Sequence, residues 1–320
     1  MKPRVLITRS MPIEIIDRIS ESCEIQIWNE TDIPIPRAVL EKEIEEADGL
    51  FCLLTDTIDQ ALLERAKRLK VISNMAVGYN NIDIQAAKDK GITVTNTPGV
   101  LTETTADLTY ALLMATARRV VESSNYLRRG DWKTWSPMQL TGQDIYGATI
   151  GIIGMGRIGA SLAKRARGFD MNILYYNRSQ KPELEETYQM KYVELDQLLK
   201  DSDYVCIMTP YSPETKNMIS AKELAWMKNT AILINTARGG IVNEVDLYDA
   251  LLAGKIWGAG LDVFEQEPVP LDHPLLTLPN VVTLPHIGSA SIQTRLRMAN
   301  LAVENLLLAL NKQTPKHVVV

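Results

Sequence analysis

The sequence predicts an α/β protein made of two doubly wound parallel-sheet domains. Three observations carry this. Strand-like and helix-like stretches alternate along nearly all of the 320 residues. The strand-like stretches are short, β-branched apolar runs of the kind buried on both faces of a parallel sheet. A glycine-rich turn, GMGRIG at 154–159, joins one such run to a helix.

In order along the chain, residues 4–8, 24–28, 49–54, 71–74 and 92–96 read as strands, with helical patterns such as 12–20, 37–46 and 60–68 between them. A second series of strands falls at 148–153, 172–176, 204–208, 231–235, 259–263 and 281–284. Two βα series indicate two sheets. The turn signal Asn96, Thr97, Pro98, Gly99 closes the first series. Residues 103–123, rich in Ala, Leu and Met, predict one long helix crossing to the second unit. The helical stretch 291–310 follows the last strand and is expected to return to the first unit. The domains are therefore read as 1–101 with 289–320, and 102–288, with a ligand cleft expected between them.

Composition limits the function classes. With 34 Lys and Arg against 39 Asp and Glu, the net charge of −5 offers no basic footprint for nucleic acid. No apolar run is long enough for a membrane span, and the first residues read directly as a strand rather than a signal peptide. Cys23, Cys52 and Cys206 are scattered in apolar runs and read as core residues of a cytoplasmic protein. No metal is expected.

The glycine turn is a dinucleotide signature because of its setting between strand and helix. Gly154 permits the tight turn, Gly156 lets a pyrophosphate approach the backbone, and Gly159 lets the helix lie close on the strand. The helix N-terminus adds free N–H groups and a positive dipole end. At the end of the next strand an acidic residue would select NAD. Asn177 stands there, followed by Arg178 and Ser179. A neutral side chain removes repulsion of a 2′-phosphate, and Arg178 and Ser179 can bind it. NADPH is expected over NADH, with NADH as the weaker alternative. An Arg178 that is merely solvated is the competing reading.

Of the three histidines, His273 and His317 read as loop and tail residues. His286 follows the apolar run 281–285, at the carboxyl end of a strand, where ligands of doubly wound sheets bind. Imidazole suits proton exchange near neutral pH, as a carbonyl accepting hydride requires. Arg238, also after a strand, can hold a carboxylate and polarise an adjacent carbonyl. Glu267 can orient an imidazole and favour its protonated form. Each residue also has the plain reading of a solvated loop side chain.

Taken together, the segments 77–83, 151–159, 235–240, 261–268 and 285–290 resemble those of D-isomer-specific 2-hydroxyacid dehydrogenases over essentially the whole chain. Arg238 lies 29 positions before Glu267, which lies 19 before His286. The resemblance implies a flavodoxin-like substrate domain and a Rossmann cofactor domain. It implies His286 as acid/base, Glu267 as its partner and Arg238 as the substrate-holding group. The backbone of Val77 and Gly78 is implied to bind the substrate carboxylate. Met155, Arg157 and Ile158 fall in the pyrophosphate loop, Pro210 on the adenosine side, and Thr236 and Ala237 near the nicotinamide, with Gly288 a further cofactor-binding position. Asp262 is implied there too, or it caps its own loop; Thr104 is a further candidate.

Within the family the chain is similar to glyoxylate/hydroxypyruvate reductases, including 2-ketogluconate reductases. Its features in common are Asn177, Arg178 and Ser179, the tryptophan-bearing stretch 130–137 and the loop 284–290. This branch implies a homodimer whose arm carries Trp132 and Trp135, acting on a small 2-oxo acid. An NAD-linked D-3-phosphoglycerate or D-lactate dehydrogenase, or a non-catalytic dinucleotide sensor, are the alternatives.

Overall fold

The computed structural model describes residues 2–320, which divide into two compact units, 2–101 with 291–320, and 102–290. The first unit holds five strands: β1 (Arg4–Ile7), β2 (Glu24–Ile27), β3 (Gly49–Cys52), β4 (Val71–Asn74) and β5 (Thr93–Thr95). They form one parallel sheet in the order β2-β1-β3-β4-β5, the flavodoxin-like winding. β3 and β4 are buried at every position, because helices cover both faces of the sheet. The helix Ile292–Leu310 is one of these covers: Ser73 Oγ donates to the Ala302 carbonyl at 2.7 Å. The chain end then closes the sheet edge, where Val319 N–H donates to Val94 O at 2.7 Å and Val94 N–H to Val320 O at 2.8 Å. Pairing this edge removes a row of open backbone groups.

The second unit holds seven strands: β6 (Thr149–Ile153), β7 (Asn172–Tyr176), β8 (Met190–Tyr192), β9 (Tyr204–Ile207), β10 (Ile232–Asn235), β11 (Gly258–Leu261) and β12 (Val281–Thr283). All are parallel, in the order β12-β11-β10-β9-β6-β7-β8. This is the dinucleotide-binding winding with one strand added, and its switch point lies between β6 and β9. The turns after β6, β7, β9, β10, β11 and β12 therefore share one edge of the sheet. Cys23, Cys52 and Cys206 are buried free thiols.

Two local expectations change. β8 is a strand the sequence does not reveal: three edge residues, Met190, Lys191 and Tyr192, are too few to display a pattern. The stretch 103–123 is not one helix but two, Thr102–Ala117 and Val120–Arg128. The break has a long-range cause. Gln143 N–H takes the Ala117 carbonyl at 2.9 Å, the group a continuing helix would need. Arg119 then turns left-handed, with φ 52°. The first of these helices lies wholly in the second unit rather than crossing from the first.

Candidate active site

Turns at the carboxyl edge of the second sheet build the site. After β6, Gly154 has φ 101°, and a side chain there would meet the Met208–Thr209 backbone at 2.7 Å, so only glycine fits. Gly156 caps the helix Arg157–Arg167, and the space a Cβ would take there is empty out to 4 Å. An open cradle over a helix N-terminus is what a pyrophosphate requires, so the residues present fit a dinucleotide. Met155 is buried, and its N–H donates to Asn177 Oδ1 at 3.2 Å. Asn177 Nδ2 donates in turn to Ser179 O at 2.9 Å. Asn177 thus ties the glycine turn to the turn after β7, where Arg178 and Ser179 are exposed. Glu214 lies in the loop after β9. Glu214 is held below its ordinary range by its bond with Ser212, then its own backbone N–H, then the Arg178 charge. Pro210, exposed in that loop, accepts from Thr215 Oγ1 at 2.9 Å.

After β10, Asn235 makes the turn that carries Arg238. Its Oδ1 accepts from Ala237 N–H at 3.1 Å and its Nδ2 donates to Arg238 O at 2.9 Å. The guanidinium bonds Ala237 O at 2.8 Å. Burial lowers the Arg238 pKa, opposed by the Glu267 charge. Thr236 is buried with its hydroxyl 2.6 Å from that of Thr109. Since Thr109 donates to Thr105 O at 2.8 Å, Thr236 is the donor to Thr109. Gly239 lies flush on the Phe264–Glu265 backbone, where a Cβ would come within 1.9 Å. This close approach joins the Arg238 turn to the Glu267 turn.

His286 Nδ1 lies 2.7 Å from Glu267 Oε2, and both side chains are about three-quarters buried. Glu267 Oε1 accepts from Phe264 N–H at 3.0 Å. Burial alone would raise the Glu267 carboxyl. The His286 bond and charge, the Phe264 N–H and Arg238 outweigh it and hold the group below its ordinary range. Asp262, wholly buried, grips the histidine turn. Its backbone O accepts from His286 N–H at 2.9 Å, Oδ1 from Ile287 N–H at 2.7 Å and Oδ2 from Gly288 N–H at 2.8 Å. These bonds tie it to the turn after β12 rather than to its own loop. The grip holds His286 left-handed, at φ 54°.

Val77 and Gly78 follow β4 in the first unit. Their carbonyls accept from Asn96 Nδ2 at 2.8 Å and Asn74 Nδ2 at 3.0 Å, which fixes the peptide planes. Asn74, Asn96 and Asn235 escape sequence reading as site residues. The available signal is an asparagine at a strand end before a turn, whose amide can bond nearby backbone. Trp132 and Trp135 are exposed in the irregular stretch after the helix Val120–Arg128.

Residues 110–288 match the D-isomer specific 2-hydroxyacid dehydrogenase, NAD binding domain. The chain belongs to the D-isomer specific 2-hydroxyacid dehydrogenases. A glyoxylate reductase of Korarchaeum cryptofilum is 50% identical over 100% of this chain and 96% of its own length. The crystal structure of a Thermus thermophilus protein superposes with a TM-score of 0.93 at 48% identity, covering 99% of this chain and 100% of that one. An NADPH-dependent glyoxylate/hydroxypyruvate reductase from Sinorhizobium meliloti, solved with NADP and malonate, has a TM-score of 0.87 at 32% identity, covering 100% and 97%. As a family member the chain is an NAD(P)-dependent oxidoreductase. Among the described residues, no helix is long and apolar enough to cross a membrane.

Proposed function

We propose that this dehydrogenase reduces glyoxylate to glycolate, and hydroxypyruvate and 2-ketogluconate to the corresponding D-2-hydroxy acids, preferring NADPH to NADH. The observation that carries the reading is the 2.7 Å bond between His286 Nδ1 and Glu267. With Nδ1 bound to a carboxylate, Nε2 is the nitrogen left to exchange a proton with substrate. Bound NADPH supplies the hydride for the carbonyl carbon. His286 gives a proton to the carbonyl oxygen, and Glu267 steadies the charged imidazole beforehand. Arg238 holds the substrate carboxylate and polarises the carbonyl. In the first unit the Val77 and Gly78 N–H groups donate to the same carboxylate: Asn96 on the Val77 carbonyl sets the plane of the Gly78 N–H, and the Thr97 N–H on the Ala76 carbonyl sets that of the Val77 N–H. The unit of 2–101 with 291–320 binds substrate, and that of 102–290 binds the dinucleotide.

Gly154, Met155, Gly156, Arg157, Ile158 and Gly159 hold the pyrophosphate, Pro210 lines the adenosine, and Thr236, Ala237 and Gly288 border the nicotinamide. Asp262 contributes by fixing the His286 turn. The NADPH preference rests on Arg178 and Ser179, exposed beside a neutral Asn177, and on the Sinorhizobium relative's cofactor. On this reading the exposed Trp135 and Met138, 75% and 78% accessible, offer apolar surface to a second copy in a homodimer, and the enzyme works in the cytoplasm.

The test is His286→Ala. Turnover with glyoxylate is expected to fall at least about a thousandfold, with NADPH affinity within about threefold of the parent. Retained turnover would remove His286 from the reaction.

A further inference from the structure

Behind the His286–Glu267 pair lies a second histidine–carboxylate pair. Glu244 opens the helix Glu244–Leu252, whose N-cap Asn243 accepts from Asp246 N–H. The Glu244 side chain does not face solvent. Its Oε1 accepts from Glu265 N–H at 2.7 Å, and its Oε2 lies 3.1 Å from His273 Nε2. Both side chains of this pair are largely buried, at 14% and 19% exposure. A carboxylate only accepts, so His273 carries its hydrogen on Nε2. Its Nδ1 is buried without a hydrogen-bond partner. The His273 ring meets the Phe264 ring edge-on, with centroids 5.9 Å apart.

These bonds converge on one turn. The consecutive N–H groups of Phe264 and Glu265 go to two different carboxylates, Glu267 and Glu244. Phe264 is therefore held from three sides: by Glu267 through its N–H, by the His273 ring, and by Gly239 against its carbonyl. The seat of Glu267 against His286 depends on where Phe264 lies. We propose that Glu244, with His273, is a positioning residue for the reaction: it fixes the 264–267 turn so that the Glu267 carboxylate meets Nδ1 of His286. The inference rests on the reading of Glu267 and His286 as the acid/base pair.

A double-mutant cycle on the full chain tests it, using Glu244→Ala, Glu244→Gln, Glu267→Gln and the Glu244→Ala/Glu267→Gln double variant. Glu244→Ala is expected to lower kcat about tenfold, with KM for NADPH within about twofold, because small displacements of a catalytic group are costly. It also moves the descending limb of the kcat/KM profile to lower pH, in the direction of Glu267→Gln but by less. Glu244→Gln keeps an oxygen for the Glu265 N–H and restores most of kcat. With Glu267 already replaced, Glu244→Ala should cost less than about twofold more, since its effect runs through Glu267. Should Glu244→Ala not fold, His273→Phe replaces it in the cycle and is expected to give the same pattern. The proposal is overturned if the loss is equal with and without Glu267, or if kcat and the pH limb stay at parent values. A Glu267→Gln protein with parent kcat and pH limb would bring down the acid/base reading and this proposal together, a result distinct from additive loss.

Discussion

Asp262→Asn is the substitution for which the structure gives the clearest magnitude. The carboxylate accepts from two consecutive N–H groups, the half-buried one of Ile287 at 2.7 Å and the buried one of Gly288 at 2.8 Å. Asparagine matches its shape but keeps one acceptor and turns an NH2 group toward the other N–H. One bond to a charged group is lost and one buried N–H is left facing a donor, together worth about 3 to 5 kcal/mol. Part of this is recovered. Burial lifts the Asp262 carboxyl above its ordinary range, even against the Ile287 N–H, the His286 charge and the Gly288 N–H, so burying that charge carries a cost the amide avoids. A net loss of about 2 to 3 kcal/mol follows, or a melting temperature lower by about 5 to 10 °C for a unit of this size. Function falls further than stability. His286 is left-handed at φ 54°, a conformation costing on the order of 1 kcal/mol that the grip of Asp262 sustains. Once released, the imidazole shifts from its productive position, and kcat should drop about a hundredfold. Thermal melting and steady-state turnover of the variant check both numbers. A protein that melts within about 2 °C of the parent and keeps kcat within about twofold would refute the reasoning.

Two further outcomes follow from the cofactor turn and from Glu267. Asn177→Asp keeps an acceptor for the Met155 N–H but replaces the donor to Ser179 O with a second anionic oxygen. The ratio of kcat/KM for NADPH over NADH should fall about 10- to 100-fold, since the new charge opposes a 2′-phosphate and favours a ribose hydroxyl; an unchanged ratio would sink the selectivity argument. Glu267 sits below its ordinary range when folded, so the folded chain binds fewer protons there than the unfolded chain. Its contribution to stability is complete above the unfolded carboxyl value of about 4.3 and is lost as pH falls through the folded value. Melting temperature between about pH 6 and 3 should therefore fall less steeply in Glu267→Gln than in the parent, and superimposable slopes would show no coupling to His286.

How much of this was legible in the sequence depends on how local each cause is. The glycine turn could be read residue by residue because its requirements are backbone requirements: a positive φ at Gly154 and open space at Gly156. Histidine at a strand end was visible because the strand preceding it is a plain apolar run. The break after Ala117 was not, because the group that ends the helix, the Gln143 N–H, lies 26 residues away in the chain. β8 hid in three edge residues. Asp262 carried two readings in the sequence, and only three-dimensional hydrogen bonds display it as the anchor of the next strand's turn. Glu244 and His273 were invisible for the same reason: neither stands in a strand-end motif, and they meet only when the 264–267 turn folds over the helix beginning at Glu244.

The central claim is hydride delivery to the carbonyl carbon of a 2-oxo acid. It is tested most directly by incubating the protein with glyoxylate and NADPH deuterated at the transferring position of the nicotinamide C4. Glycolate carrying one deuterium on C2 is expected for each NADPH oxidised. Glycolate without deuterium, or no oxidation of NADPH or NADH with any 2-oxo acid, would contradict it.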